Sequence, residues 1–100
     1  GFMTGWLIGD PRYKDLFSAG CLWNPASDLT ALSLASDIPE WSICEAMGEE
    51  AALSGEHLLP ATPEAMARMH EASPISVARN VTCPALVVLG SGDVRCPWFM

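Results

Sequence analysis

Apolar positions along this chain follow two different periods. Ala85 to Leu89 is an unbroken apolar run with no alternation, the pattern of a strand buried on both faces in a parallel sheet under helices. It breaks at Gly90-Ser91-Gly92 and delivers one carboxylate, Asp93. Ser18 to Trp23 reads as a second buried strand, closed by Asn24-Pro25. Elsewhere the spacing is helical. Phe2, Met3, Trp6 and Leu7 fall at i, i+1, i+4 and i+5, Gly5 permits close backbone packing, and Asp10-Pro11 ends that helix.

Capping residues mark the remaining elements. Asp28 suits the N-cap of a short helix running to about Ser36, and Asp37-Ile38-Pro39-Glu40 starts another with Asp37 as N-cap. That helix places Ile38, Trp41 and either Ser42 or Glu45 on one side. Gly48 to Pro60 is acidic and turn-rich, the least ordered stretch on composition. Thr62-Pro63-Glu64 is a strong helix start, with Met66, Met69 and His70 at helical spacing behind it. Ser73-Pro74 ends that helix, and a linker leads to the terminal strand. The order helix, strand, helices, strand fits one and a half βα units, an α/β arrangement around a parallel sheet.

Composition narrows the setting. Half of the 100 residues are apolar and 17% are charged, which suits a piece of a larger core better than a free-standing small domain. A net charge of −7 with only five scattered basic residues argues against nucleic acid. No apolar run reaches the roughly 20 residues of a membrane span, so a soluble, cytoplasmic chain is expected. Cys21, Cys44, Cys83 and Cys96 form no Cys-x-x-Cys pair and read as buried free thiols rather than disulfides. Neither His57 nor His70 lies near a cysteine pair, so no metal site is read.

Asp93 is the first candidate for chemistry, because ligands and catalytic groups gather at the carboxyl ends of parallel strands. It is either a turn aspartate capping the next segment or the carboxylate that orients a histidine in a Ser-His-Asp triad. No serine of the chain stands in the Gly-x-Ser-x-Gly frame of a nucleophile elbow. His70 reads as a packing or surface residue and His57 as a solvated loop residue. Ile38 and Trp41 are either core or the wall of an apolar pocket. Cys96 has no base beside it to activate a thiolate.

These residues resemble a known family. Gly1-Phe2-Met3-Thr4-Gly5-Trp6-Leu7-Ile8-Gly9 is similar to the helix after the nucleophile in acylaminoacyl-peptidases, of the prolyl oligopeptidase family. Trp23-Asn24-Pro25 resembles the Arg-Asn-Pro at the next strand end. Ser36-Asp37-Ile38-Pro39-Glu40-Trp41 with Glu45-Ala46 is similar to the family's Ser/Thr-Asp-Ile-Pro-Asp/Glu-Trp segment. Ser73-Pro74-Ile75, Cys83-Pro84 and Leu89-Gly90-x-x-Asp93-x-Arg95-x-Pro97 complete a match over essentially the whole chain. Val94, Cys96 and Trp23 stand where the family has Arg, Val and Arg.

The resemblance implies that residues 1–100 are part of an α/β-hydrolase catalytic domain, with an incomplete parallel sheet and helices on both faces. It makes Asp93 the triad acid, with the serine three positions before Gly1 and the histidine beyond Met100. It points to Asn24, Ala26, Ile38 and Trp41 as substrate-binding residues. The implied enzyme releases N-acylated amino acids from blocked peptides through an acyl-serine intermediate, without cofactor or metal, and leaves homo-oligomerisation of the full-length enzyme open. The isolated chain is expected to be inactive. Two alternatives stand beside this reading: another serine hydrolase, dipeptidyl-peptidase-like or dienelactone-hydrolase-like, and a non-catalytic scaffold in which Asp93 only caps a turn.

Overall fold

A computed structural model describes residues 1–53 and 62–100. His57 lies outside the described residues. Helix α1 (Phe2–Gly9) leads through a 3-10 turn at Lys14–Leu16 into strand β1 (Gly20–Trp23). Helices α2 (Leu29–Ala35), α3 (Pro39–Met47), α4 (Glu49–Leu53) and α5 (Pro63–Glu71) follow, then a 3-10 segment at Pro74–Asn80 and strand β2 (Ala85–Val88). The two strands pair in parallel, with Gly20 opposite Ala85, Leu22 opposite Val87 and Trp23 opposite Val88.

Local chemistry accounts for most helix starts. Asp28 Oδ1 accepts from the Thr30 and Ala31 N–H groups, and Thr62 Oγ1 from Ala65 N–H, so each side chain satisfies orphan donors of the first turn. The N-cap expected of Asp37 is not formed. Pro39 opens α3 and makes Ile38 the N-cap, while the Asp37 carboxylate turns to Arg95 instead. Part of the stretch from Gly48 to Pro60, expected to be turn-rich, is helical as α4. Two glutamates in its first turn suit the helix dipole there. The expected linker after Ser73 is a 3-10 helix opened by Pro74.

The main core is helical. Leu29 and Leu32 of α2, Ile43 of α3 and Met69 of α5 meet Ala26 with almost no exposed surface, and Phe2 and Trp41 pack against them. On α5 the buried positions are Ala65 and Met69, one turn apart, which leaves Met66 and His70 outside. Buried Ser33 and Ser42 each donate back to a carbonyl three residues earlier, Thr30 and Pro39, which lets hydroxyls sit inside the helical layer at no loss of hydrogen bonding.

The strands are not buried as the apolar runs predict. Leu22 is covered in β1, but Trp23 is 70% exposed, and Leu86 and Val87 of β2 are 61% and 50% exposed. Two strands give each other one edge only. The face of Leu22 and Val87 meets α1 and the Pro74–Asn80 segment around an apolar cavity of about 150 Å³, while the face of Trp23 and Leu86 is open. The thiols differ from expectation too. All four are free, but Cys21, paired with Leu86 on the open face of the strands, is exposed and the other three are half-buried.

Candidate functional site

The two parallel strands end side by side, and their ends are joined by side chains. Asn24 follows β1 with φ at 38°, the left-handed region that asparagine tolerates better than most residues. Its backbone N–H donates to Val88 O at 2.8 Å, extending the ladder by one rung. After β2 the chain turns through Gly90-Ser91-Gly92, closed by the Asp93 N–H donating to Gly90 O at 3.1 Å. The turn lifts Asp93 to the same end of the sheet as Asn24.

Asp93 is held at both oxygens. Oδ1 accepts from the Arg95 and Cys96 backbone N–H groups at 2.9 and 2.8 Å, and Oδ2 accepts from Asn24 Nδ2 at 2.6 Å. The Asn24 Oδ1 in turn accepts from Gly90 N–H at 2.6 Å. Glycine leaves room for this amide at position 90, since a Cβ there would lie 3.1 Å from Asn24 Nδ2. Of the two roles weighed for Asp93, the turn cap is formed by these bonds. Oδ1 caps the turn, and Oδ2 faces the strand-end partner.

A cleft of about 330 Å³ opens beside this carboxylate, between Ser36 and Asp37 on one side and Gly92, Asp93, Val94 and Trp98 on the other. Arg95 pairs with Asp37, Nε to Oδ1 at 2.5 Å and Nη2 to Oδ2 at 3.3 Å, and Asp37 N–H donates to Val94 O. The Arg95 guanidinium holds the Asp37 carboxyl below the usual carboxylate range, and the carboxylate raises the guanidinium in return. Burial, and then the Asp93 charge, push the Cys96 thiol up. Both effects disfavour the thiolate that a nucleophilic cysteine needs.

Of the sequence-derived site residues, Asn24 and Asp93 are brought into contact. Ala26 is 5% exposed and belongs to the helical core. Trp41 lines a separate cavity of about 170 Å³ with Phe2, Leu29 and Glu45. Ile38 is 42% exposed at the start of α3. Sequence reasoning missed the Asp37–Arg95 pair and the Asn24–Gly90 bond. The first hides because Pro39 displaces the cap by one residue. The second had a signal in asparagine at a strand end, where a left-handed residue reverses the chain. Among the described residues no cluster of three His, Cys, Asp or Glu side chains is placed to hold a metal ion. None of the described helices is long and apolar enough to cross a membrane.

No family model matches the chain. Individual relatives do. The chain is 36% identical over 98 residues to the acylamino-acid-releasing enzyme of Arabidopsis thaliana, 34% identical over 99 residues to acylamino-acid-releasing enzyme 1 of Oryza sativa subsp. japonica, and 33% identical over 100 residues to the enzyme of that name from Sus scrofa. Each match takes in 97 or 98% of this chain and 12% of the relative. Among solved structures, an acylaminoacyl peptidase in complex with Z-Gly-Gly-Phe-chloromethyl ketone superposes with a TM-score of 0.69 at 29% identity, and the acylaminoacyl peptidase of Pyrococcus horikoshii with 0.68 at 30%. Those alignments cover 97% of this chain and 13% of each neighbour. In sequence and in backbone alike, the chain is similar to the acylamino-acid-releasing enzymes over a segment about 12% of their length.

Proposed function

We propose that this chain forms the part of an α/β-hydrolase catalytic domain that carries the acid of a serine peptidase, and that the whole enzyme releases N-acylated amino acids from blocked peptides. The observation that carries this reading is Asp93, a carboxylate at the carboxyl end of a parallel strand, fixed by three donors. The named relatives and structural neighbours support the same reaction. An acid so held accepts the Nδ1–H of a histidine, keeps that ring in the tautomer whose Nε2 takes a proton, and stabilises the imidazolium that results. A serine Oγ attacks the acylated residue's carbonyl carbon as its proton passes to the histidine. The histidine returns that proton to the leaving amine, and water then cleaves the acyl-serine.

Of the four residues expected to bind substrate, Ile38 offers exposed surface at the start of α3 and Trp41 lines a cavity. Asn24 spends its amide on Asp93 and Gly90, and Ala26 is packed into the core.

The reading is tested with acyl-alanine nitroanilide and a fluorophosphonate probe. The protein containing this segment hydrolyses the substrate. The isolated 100-residue chain, which lacks a Gly-x-Ser-x-Gly frame, neither hydrolyses it nor takes up the probe. Specific labelling of a serine within these residues would overturn the assignment.

A further inference from the structure

Asp93 Oδ1 and Oδ2 together offer about four acceptor positions. Two are filled on Oδ1 by the Arg95 and Cys96 N–H groups and one on Oδ2 by Asn24. One position on Oδ2 is left, and which one it is depends on where Asn24 puts its N–H. The assignment of the amide is fixed by chemistry, because Gly90 N–H can only donate and an ionised carboxylate can only accept. Asn24 thus links β1 to the turn after β2 by two short bonds, from a left-handed backbone conformation that aims its side chain across the strand ends.

We infer that Asn24 is a positioning residue for Asp93, selecting the single Oδ2 acceptor position left for a donor from outside the turn. This rests on Asp93 being the acid of the proposed peptidase. Asn24 touches neither substrate nor reacting atoms in this role. It acts through the direction of the Asp93 carboxylate, so its loss lowers turnover and leaves substrate affinity alone.

Asn24→Gly separates this role from a merely structural one. Glycine adopts the left-handed conformation without strain, so the variant keeps the backbone and loses only the amide. In the peptidase containing this segment, we expect kcat to fall about 10- to 100-fold, the scale of a misplaced supporting shell, with KM within about twofold. Gly90→Ala, which presses a Cβ on the Asn24 amide, should lower kcat in the same direction by less. Wild-type kcat in Asn24→Gly would show that only the backbone turn matters and would overturn the inference. A raised KM at constant kcat would overturn it in favour of a substrate contact. Asp93→Asn is measured alongside. If it turns over normally, the acid reading itself fails and takes this inference with it. If it is dead while Asn24→Gly is normal, only the positioning role is lost. Amide NMR of the unmutated protein gives a check independent of variant folding. One Asn24 Nδ2 proton should exchange much more slowly than the other, and equal rapid exchange of both contradicts the bond to Asp93.

Discussion

Ser73→Ala should be among the most damaging single-atom deletions in the molecule. Ser73 is fully buried where α5 ends and the Pro74–Asn80 segment begins. Its Oγ accepts from Leu29 N–H at 2.8 Å and donates to Met69 O at 2.6 Å. Leu29 is the first residue of α2, and Asp28 already serves the Thr30 and Ala31 donors, so Ser73 supplies the cap that Asp28 does not reach. Alanine strands a buried N–H, at about 1–3 kcal/mol, and removes a carbonyl's partner worth about 1 kcal/mol. The sum, about 2–4 kcal/mol, corresponds to roughly a 30- to 700-fold shift in the folding equilibrium. Urea unfolding followed by tryptophan fluorescence should show a lower midpoint with an unchanged slope. Ser76→Ala, which removes a half-buried bond to Ser73 O and a long exposed one to Glu71 O, should cost no more than about 1 kcal/mol. A Ser73→Ala midpoint equal to that of the unmutated protein would refute the claim that this hydroxyl ties α2 to α5.

Further outcomes follow from the same geometry. Gly9→Ala places a Cβ 2.8 Å from Val77 O and 2.9 Å from Val77 Cγ2. The backbone carbonyl cannot swing aside, so a net loss of about 1–2 kcal/mol is expected in thermal or urea melts despite the gain in helix propensity, and a stabilised variant would show that the α1 contact is loose. Asp37 is lowered below the usual carboxylate range by Arg95. Its contribution to stability is therefore present above the unfolded carboxyl value, about 3.9, and is lost as pH falls through the lower folded value. Asp37→Asn should be less stable than the unmutated protein near neutral pH and match it in strong acid, with the gap shrinking in salt because both groups are exposed. A difference independent of pH would remove the ion pair as its cause.

Much of the fold was legible because local chemistry decides it. Asp28 and Thr62 announce their helices by caps that form as expected, and Asp10-Pro11 ends α1 as expected. The parallel pairing is encoded in two apolar runs, and their register follows once both end in turns. What could not be read is anything set by distant partners. Ser73 looks like a simple stop before Pro74, yet its burial comes from α2, 44 residues earlier. Asp37 looks like a cap until Arg95, 58 residues later, claims its carboxylate. Apolar content in Leu86 and Val87 predicts burial, but burial needs covering elements, and among the described residues only β1 and one face are supplied. At the site, the place of Asp93 at a strand end was legible from its strand and glycine turn. Its bond to Asn24 was not, because the two are 69 residues apart and meet only when the strands pair.

The central claim is that Asp93 orients and stabilises a catalytic histidine. The most direct measurement is kcat of Asp93→Asn for an acyl-amino-acid nitroanilide, in the protein containing this segment, with circular dichroism to confirm an unchanged fold. Asparagine retains an oxygen for the turn but loses the charge and presents a donor where an acceptor is needed. A fall in kcat on the order of 10⁴-fold is expected. Turnover within a few-fold of the unmutated protein would contradict the account and leave Asp93 as the cap of a turn.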